Sequence, residues 1–215
     1  MAKMCQYAVV DLEMCRVPRG ERRKVFGRAS ELIQIGAVLL GDSLEMVDSF
    51  MTYVQPEFGE IDDYIEKLTG IRHKDVAKAP FAKEALDAFL SWLPEDAKIV
   101  SWSDNDLRQI KAEIEGKGYE LPEMEPYFDS WIDCQVIFGE KMHSERCYRL
   151  SEALNFADID YLDGEHDALV DAKNTAMLFA KMEREPVLKL SPYLVEEETH
   201  LFNPFANLLS GFAIA

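Results

Sequence analysis

Two carboxylates separated by one residue close the first apolar run of the chain, Tyr7-Ala8-Val9-Val10-Asp11-Leu12-Glu13. Alternate side chains of a strand share a face, so Asp11 and Glu13 project together while Leu12 points away. Like charges at the end of a buried strand repel one another and are costly to desolvate. A cation between them relieves both costs; the plainer reading is a strand that runs out into a solvated acidic turn. Three further groups bear on the choice. Asp104 and Asp106 follow an apolar run at the first turn of a helical stretch, where one acid is expected to cap the helix. The other can join Asp11 if the two strands are neighbours, since α/β sheets build sites at the carboxyl ends of adjacent parallel strands. Asp171 lies among Ala168, Ala172 and Ala176, small residues that let a helix approach a sheet closely, so its carboxylate needs a partner. His166 lies five positions earlier, about 140° away on a regular helix. Gly164 just upstream places it on the loop leading into the helix, free to swing toward the acids. Asp167 competes with Asp171 by helical spacing; it is read as a first-turn residue satisfying backbone amides, with Asp171 facing inward.

These side chains need a scaffold, and the chain supplies one. At 215 residues and 48% hydrophobic it can bury one substantial core. A strand is expected over 31–40, a tight turn at Gly41-Asp42-Ser43, and a third strand over 44–54, giving an antiparallel meander. From Ile61 the period becomes helical and stops at Gly70. Ala79-Pro80 opens an amphipathic helix with Phe81, Ala85, Ala88, Phe89 and Trp92 on one side, closed by Pro94. A strand over 97–102 precedes a helix over 107–115, with Ser103 or Asp104 as its cap; 127–134 is expected to be the fifth strand or its approach. Short and long helices are predicted over 150–156 and 167–181. Strands first, then helices alternating with single strands, predict an α/β fold with a mixed five-stranded sheet flanked by helices.

No segment is long and apolar enough to span a bilayer. Met1-Ala2-Lys3 runs into the first strand with no signal-peptide core, and the four cysteines form no paired motif. Reduced thiols and a cytoplasmic location are therefore expected. The net charge of −17 opposes nucleic-acid binding. Yet Arg16, Arg19, Arg22, Arg23, Lys24 and Arg28 form a basic island directly after Glu13, where an anionic substrate would lie.

With these pieces placed, the chain resembles the histidine-bearing DEDD (DnaQ-like) 3′→5′ exonucleases, which have a ribonuclease H-like fold. Asp11-Leu12-Glu13 is similar to the first motif of that family. Ser103-Asp104-Asn105-Asp106-Leu107 resembles the second, in which the last Asp is functional, and His166 with Asp171 resembles the third. Leu68-Thr69-Gly70-Ile71 and Ile33-Gln34-Ile35-Gly36-Ala37-Val38 are also typical. The resemblance covers about 7–181 and fits a subgroup of RNA 3′-end trimming and sporulation-inhibitor-like enzymes. Met14-Cys15 stand where many members carry small hydroxyl residues, and Asn105 where an aromatic is common. Substrate contacts are accordingly expected from Met14, Cys15, Asn105, Arg16 and Arg19.

The resemblance implies a metal-dependent exonuclease releasing nucleoside 5′-monophosphates from single-stranded RNA or DNA 3′ ends. Asp11, Glu13, Asp106 and Asp171 would hold two divalent cations, Mg²⁺ or Mn²⁺, which suit oxygen ligands. In such sites one ion activates the attacking water and the other stabilises the leaving oxygen. Asp11 would bridge both, Glu13 and Asp171 complete one, and Asp106 hold the other. His166 would be the general base. The alternatives are a proofreading-type DNA exonuclease acting with a polymerase, a ribonuclease-H-like endonuclease, and a catalytically idle nucleic-acid-binding module, which has no reason to keep all five groups. Residues 1–185 are expected to form the exonuclease domain. The extension 186–215, apolar in its last part, would pack on that domain or on a second subunit as a homodimer.

Overall fold

The computed structural model describes residues 6–25 and 29–191. Strands β1 (Tyr7–Arg16), β2 (Ser30–Leu40) and β3 (Met46–Tyr53) form the expected antiparallel meander. Helices α1 (Asp63–Thr69), α2 (His73–Val76) and α3 (Ala82–Trp92) lead to β4 (Lys98–Ser101), which pairs in parallel with β1. There follow α4 (Asn105–Lys117), α5 (Glu125–Asp129), β5 (Ile132–Asp133), α6 (Cys134–Lys141), α7 (Leu150–Phe156) and α8 (Ala168–Arg184). The mixed sheet has the order β3-β2-β1-β4-β5, so β1 is central.

Alternation along β1 divides the core. Ala8, Val10 and Leu12 pack with Leu86 and Phe89 of α3 and Ile110 of α4. Val9 faces the other way, onto Ala176 and Phe179 of α8, Phe138 of α6 and Leu154 of α7. Each layer buries apolar surface worth about 25 cal/mol per Å², and together they fix the strand that carries Asp11 and Glu13.

The expectation for 127–134 needs correction. Pro126 sits in the first turn of α5, where its lack of an N–H costs nothing, and the helix runs to Asp129. Only Ile132 and Asp133 then pair with Val100 and Ser101. The strand stops because Asp133 caps α6, its carboxylate accepting from the Val136 amide at 3.0 Å. Residues 192–215 and Arg28 lie outside the described residues, as does most of the expected C-terminal extension. Among the described residues no helix is long and apolar enough to cross a membrane.

Candidate active site

The carboxyl ends of β1 and β4, the first turn of α4 and the loop before α8 enclose an open cleft of about 510 Å³. Asp11, Glu13, Asp106, His166 and Asp171 all line it. Glu13, Asp106 and Asp171 are almost fully buried, at 8%, 6% and 8% exposure. Ligand atoms of Glu13, His166 and Asp171 lie within 4.8 Å of one another, close enough to share one cation.

Each acid arrives by a different local rule. Asp11 and Glu13 share a face of β1 by strand alternation. Asp106 sits in the first turn of α4, whose start is held where the Asp104 amide donates to Asp133 Oδ2 at 3.1 Å. Asp167 is the N-cap of α8, accepting from the amides of Leu169 and Val170 at 3.0 and 3.2 Å, so the capping duty is taken and Asp171 is left for the site. His166 lies on the preceding loop in the left-handed region (φ 67°), a conformation costly for a residue with a side chain. Its backbone N–H donates to Asp171 Oδ2 at 2.9 Å, which helps hold it there. The imidazole Nδ1 is 4.0 Å from Glu13 Oε1, and the side chain keeps 41% of its surface open to solvent.

The electrostatics match this crowding. Burial first, then repulsion from Asp106, Asp171 and Glu13, raises the Asp11 carboxyl well above the usual range. Burial and the charges of Asp171 and Asp106 push Glu13 up to about 8. Asp106 is pushed up to about 7, chiefly by burial, with backbone hydrogen bonds from itself and Leu12 pulling the other way. Asp11, Glu13 and Asp106 thus resist ionising together, and these carboxylates with Asp171 and one imidazole make a mostly oxygen donor set of the kind that suits hard divalent cations. The residues fit the group.

Several contributors had no sequence signal. Tyr161 donates its hydroxyl to Asp171 Oδ1 at 2.5 Å. Its loop is tied to α8 through Asn174, fully buried, whose Oδ1 accepts from the Leu162 amide at 2.9 Å. The Ile33-Gln34-Ile35-Gly36 stretch gains a physical reason. Gln34 Oε1 accepts from the Ala168 amide at 3.1 Å, and Gly36, opposite Asp11 in the β1–β2 register, lets α8 pass close above it. Trp102, Gln135, Tyr148 and Arg149 complete the cleft wall.

The expected substrate contacts divide. Met14 and Asn105 line the cleft. Cys15 does not: it is buried with Ile33, Ile65, Ile71 and Val76, and burial followed by Glu31 and Glu113 pushes its thiol up to about 12. Arg16 is turned away, 3.7 Å from Asp62 and stacked 4.4 Å over the Tyr64 ring. Arg19 is exposed on the following loop and is not on the cleft wall.

A central strand carrying two acids, with a third from the helix after β4 and a fourth from the last helix, gives a ribonuclease H-like fold with a candidate polyacidic metal site. The chain belongs to the exonuclease family (RNase_T), whose pattern matches residues 8–179. It is 31% identical over 182 residues to human ERI1 exoribonuclease 2, covering 73% of this chain and 26% of that protein. It is 27% identical over 193 residues to the 3′-5′ exonuclease Snipper of Drosophila melanogaster, covering 77% of this chain and 67% of Snipper. The chain thus spans about a quarter of the length of the ERI1 exoribonuclease 2 relatives from human, frog and mouse. Among solved structures, the nuclease domain of 3′hExo, a DEDDh family member bound to rAMP, superposes with a TM-score of 0.74 at 22% identity, covering 88% of this chain and 98% of that one. A 3′-exonuclease in a structure of histone mRNA stem-loop recognition gives 0.73 at 21% identity, covering 88% and 86%. At these identities the likeness is one of fold.

Proposed function

We propose that this protein is a metal-dependent 3′→5′ exonuclease that removes nucleoside 5′-monophosphates from single-stranded 3′ ends, RNA in preference to DNA. The observation that carries the reading is the convergence of Asp11, Glu13, Asp106 and Asp171 with His166 in one open cleft. Relatives named as exoribonucleases support the choice of RNA.

Asp11, Glu13, Asp106 and Asp171 would hold two Mg²⁺ or Mn²⁺ ions, which when bound supply Lewis-acid stabilisation of the charge that builds on the phosphate. The bound charge would relieve the repulsion that raises the carboxyls of Asp11, Glu13 and Asp106. His166 accepts the proton of the attacking water; its exposure lets it pass that proton on to solvent, a role usually worth about 10²–10⁴ in rate. Asp171, through its bond from the His166 amide, also sets where that imidazole sits. Met14 and Asn105 flank the terminal nucleotide from the β1 and α4 sides, and Arg19 offers a contact to chain further from the end. Cys15 and Arg16, given their placement, are left out of the substrate contacts.

A 5′-labelled RNA oligonucleotide and its DNA counterpart, incubated with Mg²⁺ or Mn²⁺, test the reading. A ladder shortening from the 3′ end is expected, faster on RNA. Asp11→Ala should abolish it, and His166→Ala should slow it strongly while cation binding by calorimetry survives. Full activity of Asp11→Ala, or activity in excess chelator, overturns the proposal; internal cuts would point to an endonuclease, and preference for DNA to a proofreading role.

A further inference from the structure

The cleft is a hostile place for a polyanion. Its wall carries Asp11, Glu13, Asp106, Glu165 and Asp171, on a chain with a net charge of −17. Bound cations can answer the phosphate undergoing hydrolysis, but any other phosphate of the substrate meets the acidic field unaided. Among the described residues, one lysine or arginine lines the cleft, Arg149 at the start of α7.

Its surroundings leave it free for an external anion. Glu152, the acid nearest along its own helix, is committed: Oε1 accepts from Arg146 at 2.6 Å and Oε2 from the backbone N–H of Arg149 at 2.9 Å. No carboxylate among the described residues lies within 4.0 Å of the Arg149 guanidinium. The side chain is exposed, while the backbone beneath it is anchored. Tyr148 is buried in edge contact with Phe138 and Phe156, at 5.1 and 5.7 Å between rings, and Gln135 donates to its carbonyl at 2.6 Å. A guanidinium on a fixed stem matches a phosphate with two parallel hydrogen bonds and keeps its charge at any working pH.

We propose that Arg149 is the phosphate-binding residue of this cleft, gripping the substrate backbone at a phosphate other than the one being hydrolysed. This rests on the exonuclease reading and assigns to α7 a specificity role: preference for an oligonucleotide over a dinucleotide, which offers only the scissile phosphodiester. Removing one charged hydrogen-bonding partner of this kind weakens binding by about tenfold to a hundredfold. It should also lower the salt dependence of binding to single strands by about 0.7 in log–log slope.

The test compares Arg149→Gln and Arg149→Lys with the unmodified chain on a hexaribonucleotide and a diribonucleotide. Binding of the labelled hexamer is read by anisotropy in Ca²⁺, and turnover in Mg²⁺. Arg149→Gln should raise the hexamer Kd and KM about tenfold or more with kcat nearly unchanged, leave the dinucleotide KM alone, and flatten the salt slope, while Arg149→Lys recovers part of the affinity. Unchanged hexamer Kd, a fall in kcat instead of a rise in KM, or an equal loss on both substrates overturns the assignment. Melting curves keep a folding defect from being mistaken for either. If the unmodified chain turns over neither substrate, the exonuclease reading fails, and the anisotropy arm still decides whether Arg149 holds phosphate.

Discussion

Gly36→Ala adds one methyl group at the point where β2 and the start of α8 run closest together. A Cβ at that position would lie 2.2 Å from both the Ala168 carbonyl carbon and the Leu169 nitrogen, and 2.5 Å from the Ala168 oxygen. All three are backbone atoms, so no side chain can swing aside. Reaching an ordinary contact of 3.4 Å means moving the first turn of α8 off the sheet by a little over 1 Å. Asp171 rides on that turn and His166 is bonded to it, whereas Asp11 and Glu13 stay with β1. The substitution therefore parts the two halves of the site and stretches the Gln34–Ala168 bond. Overpacking of this kind costs about 1–3 kcal/mol, which leaves a domain of this size folded. Misplacement of catalytic groups by about 1 Å can cost about 10²-fold in rate. Urea unfolding followed by circular dichroism would report the stability, and single-turnover cleavage of a labelled oligonucleotide the rate. Gly20→Ala, where nothing lies within 4 Å, is the neutral control. A folded Gly36→Ala protein that cleaves within twofold of the control would refute the claim that this close approach sets the site.

Three other outcomes are expected. Without metal, the raised pKa values of Asp11, Glu13 and Asp106 mean the folded chain binds more protons than the unfolded one from about pH 4 to pH 8. Stability from these groups is full below that window and lost as pH rises through it, so melting temperature in chelator should fall from pH 5 to pH 8, and Mn²⁺ should restore more at pH 8 than at pH 5; a flat profile contradicts the cluster. Lys117 is buried at 2.5 Å from Glu31 and 3.0 Å from Glu113; Lys117→Met leaves two buried carboxylates uncompensated and should cost about 3–5 kcal/mol in urea titrations at neutral pH. An unchanged midpoint would show those acids to be solvated. Tyr161→Phe removes one of the two hydrogen bonds to Asp171; Mn²⁺ affinity by calorimetry should drop about tenfold or more, and equal affinity would make the tyrosine a bystander.

Local sequence determined most of what could be read from spacing. Asp11 and Glu13 share a face because a strand repeats every two residues, and the meander follows from alternation and the turn at Gly41. Asp171 faces the sheet because alanines share its side of α8, and Asp167 is a cap because of where the helical period begins. These depend on neighbours in the chain. The contacts that aim the site do not. Gln34 and Ala168 are 134 positions apart, and Asp104 and Asp133 are 29 apart. Tyr161 reaches Asp171 only through the shape of a loop that Asn174 holds. Cys15 shares the strand parity of Asp11 and Glu13, yet Ile65, Ile71 and Val76 cover it and bury it, while Met14 lines the cleft. The opening pair of carboxylates was legible as chemistry from the sequence because its geometry is local. That the other acids, a histidine and a single arginine meet it in one cleft was decided by the sheet order, which sets β4 beside β1, and by the packing of α8 over Gly36.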